Sequence, residues 1–146
     1  MKVYLDNCCF NRPFDDQSSL TVRLETEAIL DVQGKIESGI ISVGWSYILD
    51  LENNFNPFPE RRAETLKWKE RADSFVDESP KLLEKMDELI SLGIKPLDAL
   101  HIACAIMLKC DYFLTVDKGI LRKANHILQL AVVNPVNAVI QWESEQ

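Results

Sequence analysis

PLDALHIACAIMLKCDYFLTVD, residues 96 to 117, reads as an apolar helix followed by a strand that stops at a carboxylate. Pro96 suits a helix first turn, where its missing N–H is not needed. Ala99 to Leu108 is apolar nearly all round, the pattern of a helix packed on two sides. Tyr112 to Val116 (YFLTV) is rich in strand formers and ends at Asp117. Asp98 and Asp117 thus stand at the edges of apolar elements, and Asp98, placed where the helix enters the core, is expected to be partly buried.

Outward from this unit the same alternation recurs. Lys2 to Asp6 (KVYLD) is a strand that also stops at a carboxylate. Phe10 to Gln17 (FNRPFDDQ) reads as a loop, with Ser18 or Ser19 capping the next helix. Leu20, Leu24, Ala28, Ile29, Val32 and Ile36 recur at helical spacing, and Gly39 closes that helix. Ile40, Ile41 and Val43 form a second strand interrupted by Gly44, and Trp45 to Asn53 forms a short helix. Phe55 to Pro59 (FNPFP) is a break read as a mobile loop, and Glu60 to Val76 is a charged helix with Ala63, Leu66, Ala72 and Phe75 inward. A helix follows from Pro80 to Leu92, helical turns span Lys118 to Ala124, a last strand spans Leu130 to Val133, and a C-terminal helix ends the chain. Short strands alternating with helices predict an α/β fold with a mostly parallel sheet covered on both faces, in one domain over residues 1–146.

Hydrophobic residues make up 47% of the chain and charged residues 27%, which excludes global disorder. No apolar run approaches the roughly 20 residues that span a bilayer, and MKVYLDNCCFNRP lacks the apolar core of a signal peptide. The expectation is a cytoplasmic protein without a membrane partner. Cys8, Cys9, Cys104 and Cys110 fit neither a disulfide framework nor a zinc site, and are expected to be reduced and mostly buried. Asp+Glu 23 against Lys+Arg 16 gives a net charge of -7, which counts against nonspecific nucleic-acid binding.

Asp6, Glu52, Asp98 and Asp117 form the candidate constellation. Each has a plain alternative: a strand-end turn for Asp6, a solvated helix face for Glu52, a helix-dipole partner for Asp98 and an N-cap for Asp117. If the four converge, their repulsion calls for a cation. Hard carboxylate oxygens without Cys or His select Mg²⁺ or Mn²⁺, and such ions activate water against a phosphodiester. Arg12, Lys118, Arg122 and Lys123 are the local bases that could assist a phosphate.

Asp6 in YLDNCCFNRPFDDQ, Asp98 in KPLDALHIACA and Asp117 in DYFLTVD closely resemble the acidic signature of PIN domains, small metal-dependent nucleases that include the toxin ribonucleases of bacterial toxin–antitoxin pairs. The resemblance covers nearly the whole chain. It implies a three-layer α/β/α Rossmann-like fold, a pocket for Mg²⁺ or Mn²⁺ and hydrolysis of RNA. Residue by residue, it makes Asp6, Asp98 and Asp117 the first, third and fourth family carboxylates and the metal ligands. Glu52 matches the second, with Asp50 as competitor, and Thr115 and Asn7 are supporting groups. A cognate antitoxin and a homodimer are the implied protein partners.

The chain departs from the family at Asn7, where many relatives carry a small hydroxyl, and at Gly119, where some carry a further acid or amide. With the acidic total, these keep a second reading open, a PIN-fold nucleic-acid or protein-binding module with little or no hydrolysis. A nucleotide-binding α/β domain is disfavoured because no GxGxxG or GxxxxGK[ST] loop follows a strand. His101 reads as a core or pocket-wall residue. Trp45, Phe55, Phe58 and Trp68 read as packing residues that could alternatively stack on bases, and Asp15 and Asp16 as loop acids.

Overall fold

The computed structural model describes residues 1–146. Five strands, β1 (Lys2–Leu5), β2 (Ser42–Ser46), β3 (Ser74–Val76), β4 (Tyr112–Leu114) and β5 (Ala131–Val133), form one all-parallel sheet in the order β3-β2-β1-β4-β5. β1 lies at the centre because Val3, Tyr4 and Leu5 are apolar on both pleat faces and fully buried. α6 (Pro96–Met107) packs against β2 and β4, with α5 (Pro80–Ser91) against it and α3 (Tyr47–Asn54) beside it. α2 (Leu20–Glu37) pairs with α8 (Pro135–Ser144) in the other helical layer. This is the three-layer α/β/α arrangement expected from the sequence.

Several local readings are corrected. The FNRPFDDQ segment is largely helical: α1 (Asn7–Asn11) leads into a 3₁₀ turn at Arg12–Phe14. Asp6 starts α1 by accepting the Asn7 N–H, a cap that a Pro-bearing, acidic stretch conceals. Gly44 does not interrupt β2 but permits it. An added Cβ would lie 2.9 Å from Leu108 Cδ1 and 3.4 Å from Cys110 Sγ, so glycine lets the segment ending α6 lie close on the strand. Trp45 therefore belongs to β2, not to the following helix.

The charged helix α4 ends early, spanning Pro59–Glu70, and Ser74–Val76 becomes the edge strand β3. Its inner residues are Thr65 and Trp68, whereas Leu66 and Phe75 are about half exposed. Leu20 and Leu24, at the start of α2, are likewise exposed. YFLTV is a strand over Tyr112–Leu114; the Thr115 N–H still donates to the Val133 carbonyl at 3.1 Å before the chain turns into α7 (Lys118–Leu121). The cysteines are free as expected, with Cys9, Cys104 and Cys110 buried and Cys8 half-buried. No helix is long and apolar enough to cross a membrane.

Candidate active site at the carboxyl edge of the sheet

Parallel strands bring their carboxyl ends to one edge, and the β1–β4 register aligns Leu5 with Leu114. The Asp6 N–H extends that ladder by donating to the Leu114 carbonyl at 3.0 Å, which sets Asp6 beside Thr115. Thr115 is fully buried. Its Oγ1 donates to Asp6 Oδ2 at 2.7 Å and accepts the Asp117 N–H at 3.1 Å, so one hydroxyl ties the first carboxylate to the turn carrying the fourth. The Cys8 thiol also donates to Asp6 Oδ2, at 3.3 Å, and the Asn7 N–H to Oδ1 at 2.9 Å. Asn7 thus serves the site through its backbone.

Asp98 comes from the first turn of α6 and Asp117 caps α7, accepting the Ile120 N–H at 3.0 Å. The two share a cleft of about 190 Å³ with Gly93, Lys95, Arg122 and Lys123. Gly119 also lines it, and a Cβ there would lie 3.0 Å from Asp117 Oδ1, so a side chain at 119 would press on the capping carboxylate. Burial raises the Asp98 pKa above its ordinary value, and the charges of Asp6 and Asp117 raise it further. Burial likewise raises Asp6, against lowering by His101, Thr115 and Cys8, and Glu52 adds to the rise. The site is therefore a set of mutually repelling carboxylates from β1, α6 and the turn after β4. No three Asp, Glu, His or Cys side chains are gathered into a ready ligand cluster as they stand. In kind, the donor set fits a hard divalent cation: oxygen donors of like charge whose repulsion such an ion would relieve.

Asp50 and Glu52 part company. Asp50 accepts the Trp45 indole N–H at 2.8 Å and a bond from Lys69 at 2.9 Å. Glu52 instead pairs with His101 Nε2. The imidazole is buried, and its Nδ1 lies 2.7 Å from the Tyr4 hydroxyl, which lies 2.7 Å from Ser46 Oγ. Ser46 Oγ in turn accepts the Leu49 N–H. With a neutral imidazole the chain has one consistent sense: Ser46 donates to Tyr4, Tyr4 to Nδ1, and Nε2–H to the Glu52 carboxylate. Burial drives the Tyr4 pKa well above its ordinary value, which keeps the phenol a donor. Tyr4 and Ser46 were not singled out in the sequence. The available signal was His101 three residues after Asp98, one helical turn along the same face.

The expected phosphate contacts separate. Arg12 is held by Asp15 at 3.3 Å and by the buried Glu25 at 3.4 Å, and Glu25 also accepts from Asn134 at 2.6 Å. That guanidinium joins the 3₁₀ turn to α2 instead of facing the carboxylates. Lys118 lines a neighbouring groove with Leu24, Val116 and Val136, and Arg122 lines the carboxylate cleft. Asp15 pairs with Arg61 as well as Arg12, in keeping with a loop acid. Trp45 and Trp68 are buried and cannot stack on a base, whereas Phe55 and Phe58 are exposed. The Arg61 guanidinium lies 4.6 Å from the Phe58 ring centre.

No family model matches the sequence, and no curated protein matches it. Among solved structures, the crystal structure of VapBC2 from Rickettsia felis bound to a DNA fragment from their promoter matches at a TM-score of 0.55 and 18% identity. The match covers 92% of this chain and 98% of the other. The chain shares that backbone fold, which is the three-layer arrangement that the PIN resemblance implies. At that identity the likeness concerns the backbone. In this fold the carboxyl edge of β1 and β4 is where Asp6, Thr115 and Asp117 meet.

Proposed function

We propose that the protein is a metal-dependent endoribonuclease, the toxin of a toxin–antitoxin pair. The observation that carries this reading is Asp98, whose carboxyl is pushed up by burial and then by the charges of both Asp6 and Asp117. Three carboxylates from three separate elements close enough to repel are a costly arrangement for a fold to keep without a use for it. Asp6, Asp98 and Asp117 would hold Mg²⁺ or Mn²⁺, and Glu52, positioned by His101, is the fourth catalytic carboxylate. A bound ion of this kind supplies Lewis acidity to the phosphodiester and lowers the pKa of the attacking water. Thr115 aims Asp6 by donating to it and favours its ionised form against the burial that raises its pKa, and Arg122 lines the Asp98–Asp117 cleft.

RNA is the proposed substrate, since phosphodiester chemistry suits the donor set and the PIN-type fold. The likeness to VapBC2 supports a cognate antitoxin as protein partner, and a homodimer and a cytoplasmic location belong to the same proposal. The test is cleavage of a labelled RNA by the purified protein with Mn²⁺, beside Asp98→Asn. The wild type should cleave and the variant lose at least a hundredfold in rate; equal rates would sink the assignment. The donors already bonded to Asp6 favour one second reading, a binding module with little hydrolysis. Absence of Mn²⁺ binding by calorimetry together with intact RNA would select it.

A further inference from the structure

Ten of the 16 lysines and arginines reach a carboxylate or a backbone carbonyl of the protein itself. The other six are Lys81, Lys95, Lys109, Lys118, Arg122 and Lys123. Four of these six lie on one rim, at the start of α6 and along the segment from α7 to Lys123. Three, Lys95, Arg122 and Lys123, line a single cleft, and it is the cleft whose other lining includes Asp98 and Asp117. In a chain of charge -7, bases that share a cleft with carboxylates but make no direct ion pair are where an external anion finds them.

The backbone makes room for one of them. Gly93 holds φ +91, and a Cβ at that position would stand 2.8 Å from Lys123 Nζ. The positive φ is what calls for glycine here, and the flexible amine of Lys123 rests over it in the space a side chain would share. Arg12, by contrast, is committed to Asp15 and Glu25 and lines no part of this cleft. Lys118, around the corner in the neighbouring groove, continues the basic strip.

We infer that this cleft seats a phosphate of single-stranded RNA adjacent to the one being cleaved, held by Lys95, Arg122 and Lys123, with the strand leaving past Lys118. The inference rests on the nuclease reading for its substrate and adds the direction in which the strand lies. A cleft of about 190 Å³ takes a phosphate group and cannot take a protein helix, which favours a flexible strand over a folded partner. The carboxylates on the other wall supply the repulsion that keeps this phosphate out of the metal position.

The test is fluorescence anisotropy with a fluorescein-labelled single-stranded RNA in EDTA, where cleavage cannot occur, over a range of salt. The triple variant Lys95→Ala/Arg122→Ala/Lys123→Ala is compared with Lys81→Ala/Lys109→Asn, which removes two equally unpaired charges elsewhere. The cleft variant should bind at least tenfold more weakly, and its slope of log affinity against log salt should flatten by about 0.7, the share of one phosphate on a single strand. The control should stay within about twofold. If the triple variant melts well below the wild type, Lys123→Gln alone carries the test with a loss of about threefold. Unchanged affinity in the cleft variants, an equal loss in the control, or equal competition by a polyglutamate peptide would overturn the seat. Mn²⁺-dependent cleavage that persists with an unchanged KM in the triple variant overturns the seat and leaves the nuclease standing. Cleft-dependent binding by a wild type that cleaves nothing supports the seat and removes the nuclease.

Discussion

Tyr4 is the residue on which two roles meet. Its ring is stacked on Phe113 with centroids 5.4 Å apart, in the middle of the core, while its hydroxyl bridges Ser46 and His101. Tyr4→Phe leaves the packing intact and removes that bridge, so His101 Nδ1 is buried without a partner. The expected cost is about 1–3 kcal/mol in a urea titration. If His101 positions Glu52, the same variant also lowers kcat on RNA about tenfold at unchanged KM, with His101→Gln behaving likewise. A loss of stability with unchanged kcat would leave the chain a purely structural one. Asp98 and His101 were visible together in the sequence because one turn of helix separates them. Tyr4 was not, since it stands 97 positions from the imidazole it holds.

At the scale of elements, the helix starts divide into caps that only cap and one that does more. The Ser79 hydroxyl accepts the Leu82 N–H at the head of α5 and makes no further bond, so Ser79→Ala should cost about 1 kcal/mol. Ser46 caps α3 and also holds the Tyr4 hydroxyl inside the core. Ser46→Ala should therefore cost about 2–3 kcal/mol by chemical denaturation. Equal effects of the two changes would show that the Tyr4 bond contributes nothing net. Element types with strong periodicity, such as α2, α5 and α6, were legible because burial of one face follows from spacing. β3 was not: Ser-Phe-Val is too short to show alternation, and it is a strand only because β2 pairs with it. Gly44 looks like an interruption in the sequence for a related reason, as its lack of a side chain answers to Leu108 and Cys110, far along the chain.

Across the whole molecule, the carboxylates that the site gathers oppose folding at neutral pH. The folded pKa of Asp98 is raised, so the folded state holds its proton more tightly than the unfolded one. Stability from that proton is present at low pH and is lost as pH rises through the raised folded value. The melting temperature of the metal-free wild type, minus that of Asp98→Asn, should accordingly grow as pH falls from 7 into the acidic range; a difference that shrinks would contradict the assignment. Mn²⁺ at about a hundred times its Kd should raise the wild-type Tm at pH 7 by about 5–10 °C, following about 2.7 kcal/mol of linkage. The rise should be much smaller in Asp98→Asn. A scanning fluorimetry series with and without Mn²⁺ measures both.

The alternation of apolar runs and helical stripes sufficed for the α/β class and for a carboxylate at the end of β1 and near the end of β4, because burial periodicity and strand termination are local properties. Which carboxylates share an edge is not local. It follows from the parallel β1–β4 register, which sets Asp6 against Thr115, and from the insertion of α6 beside them. The same holds for the bases. In the chain Arg12, Lys118, Arg122 and Lys123 look alike, and only folding neutralises Arg12 against Glu25 while leaving Lys95, Arg122 and Lys123 facing one cleft. Charge acts through space over a few ångströms, and proximity between distant residues exists only once the sheet has been assembled.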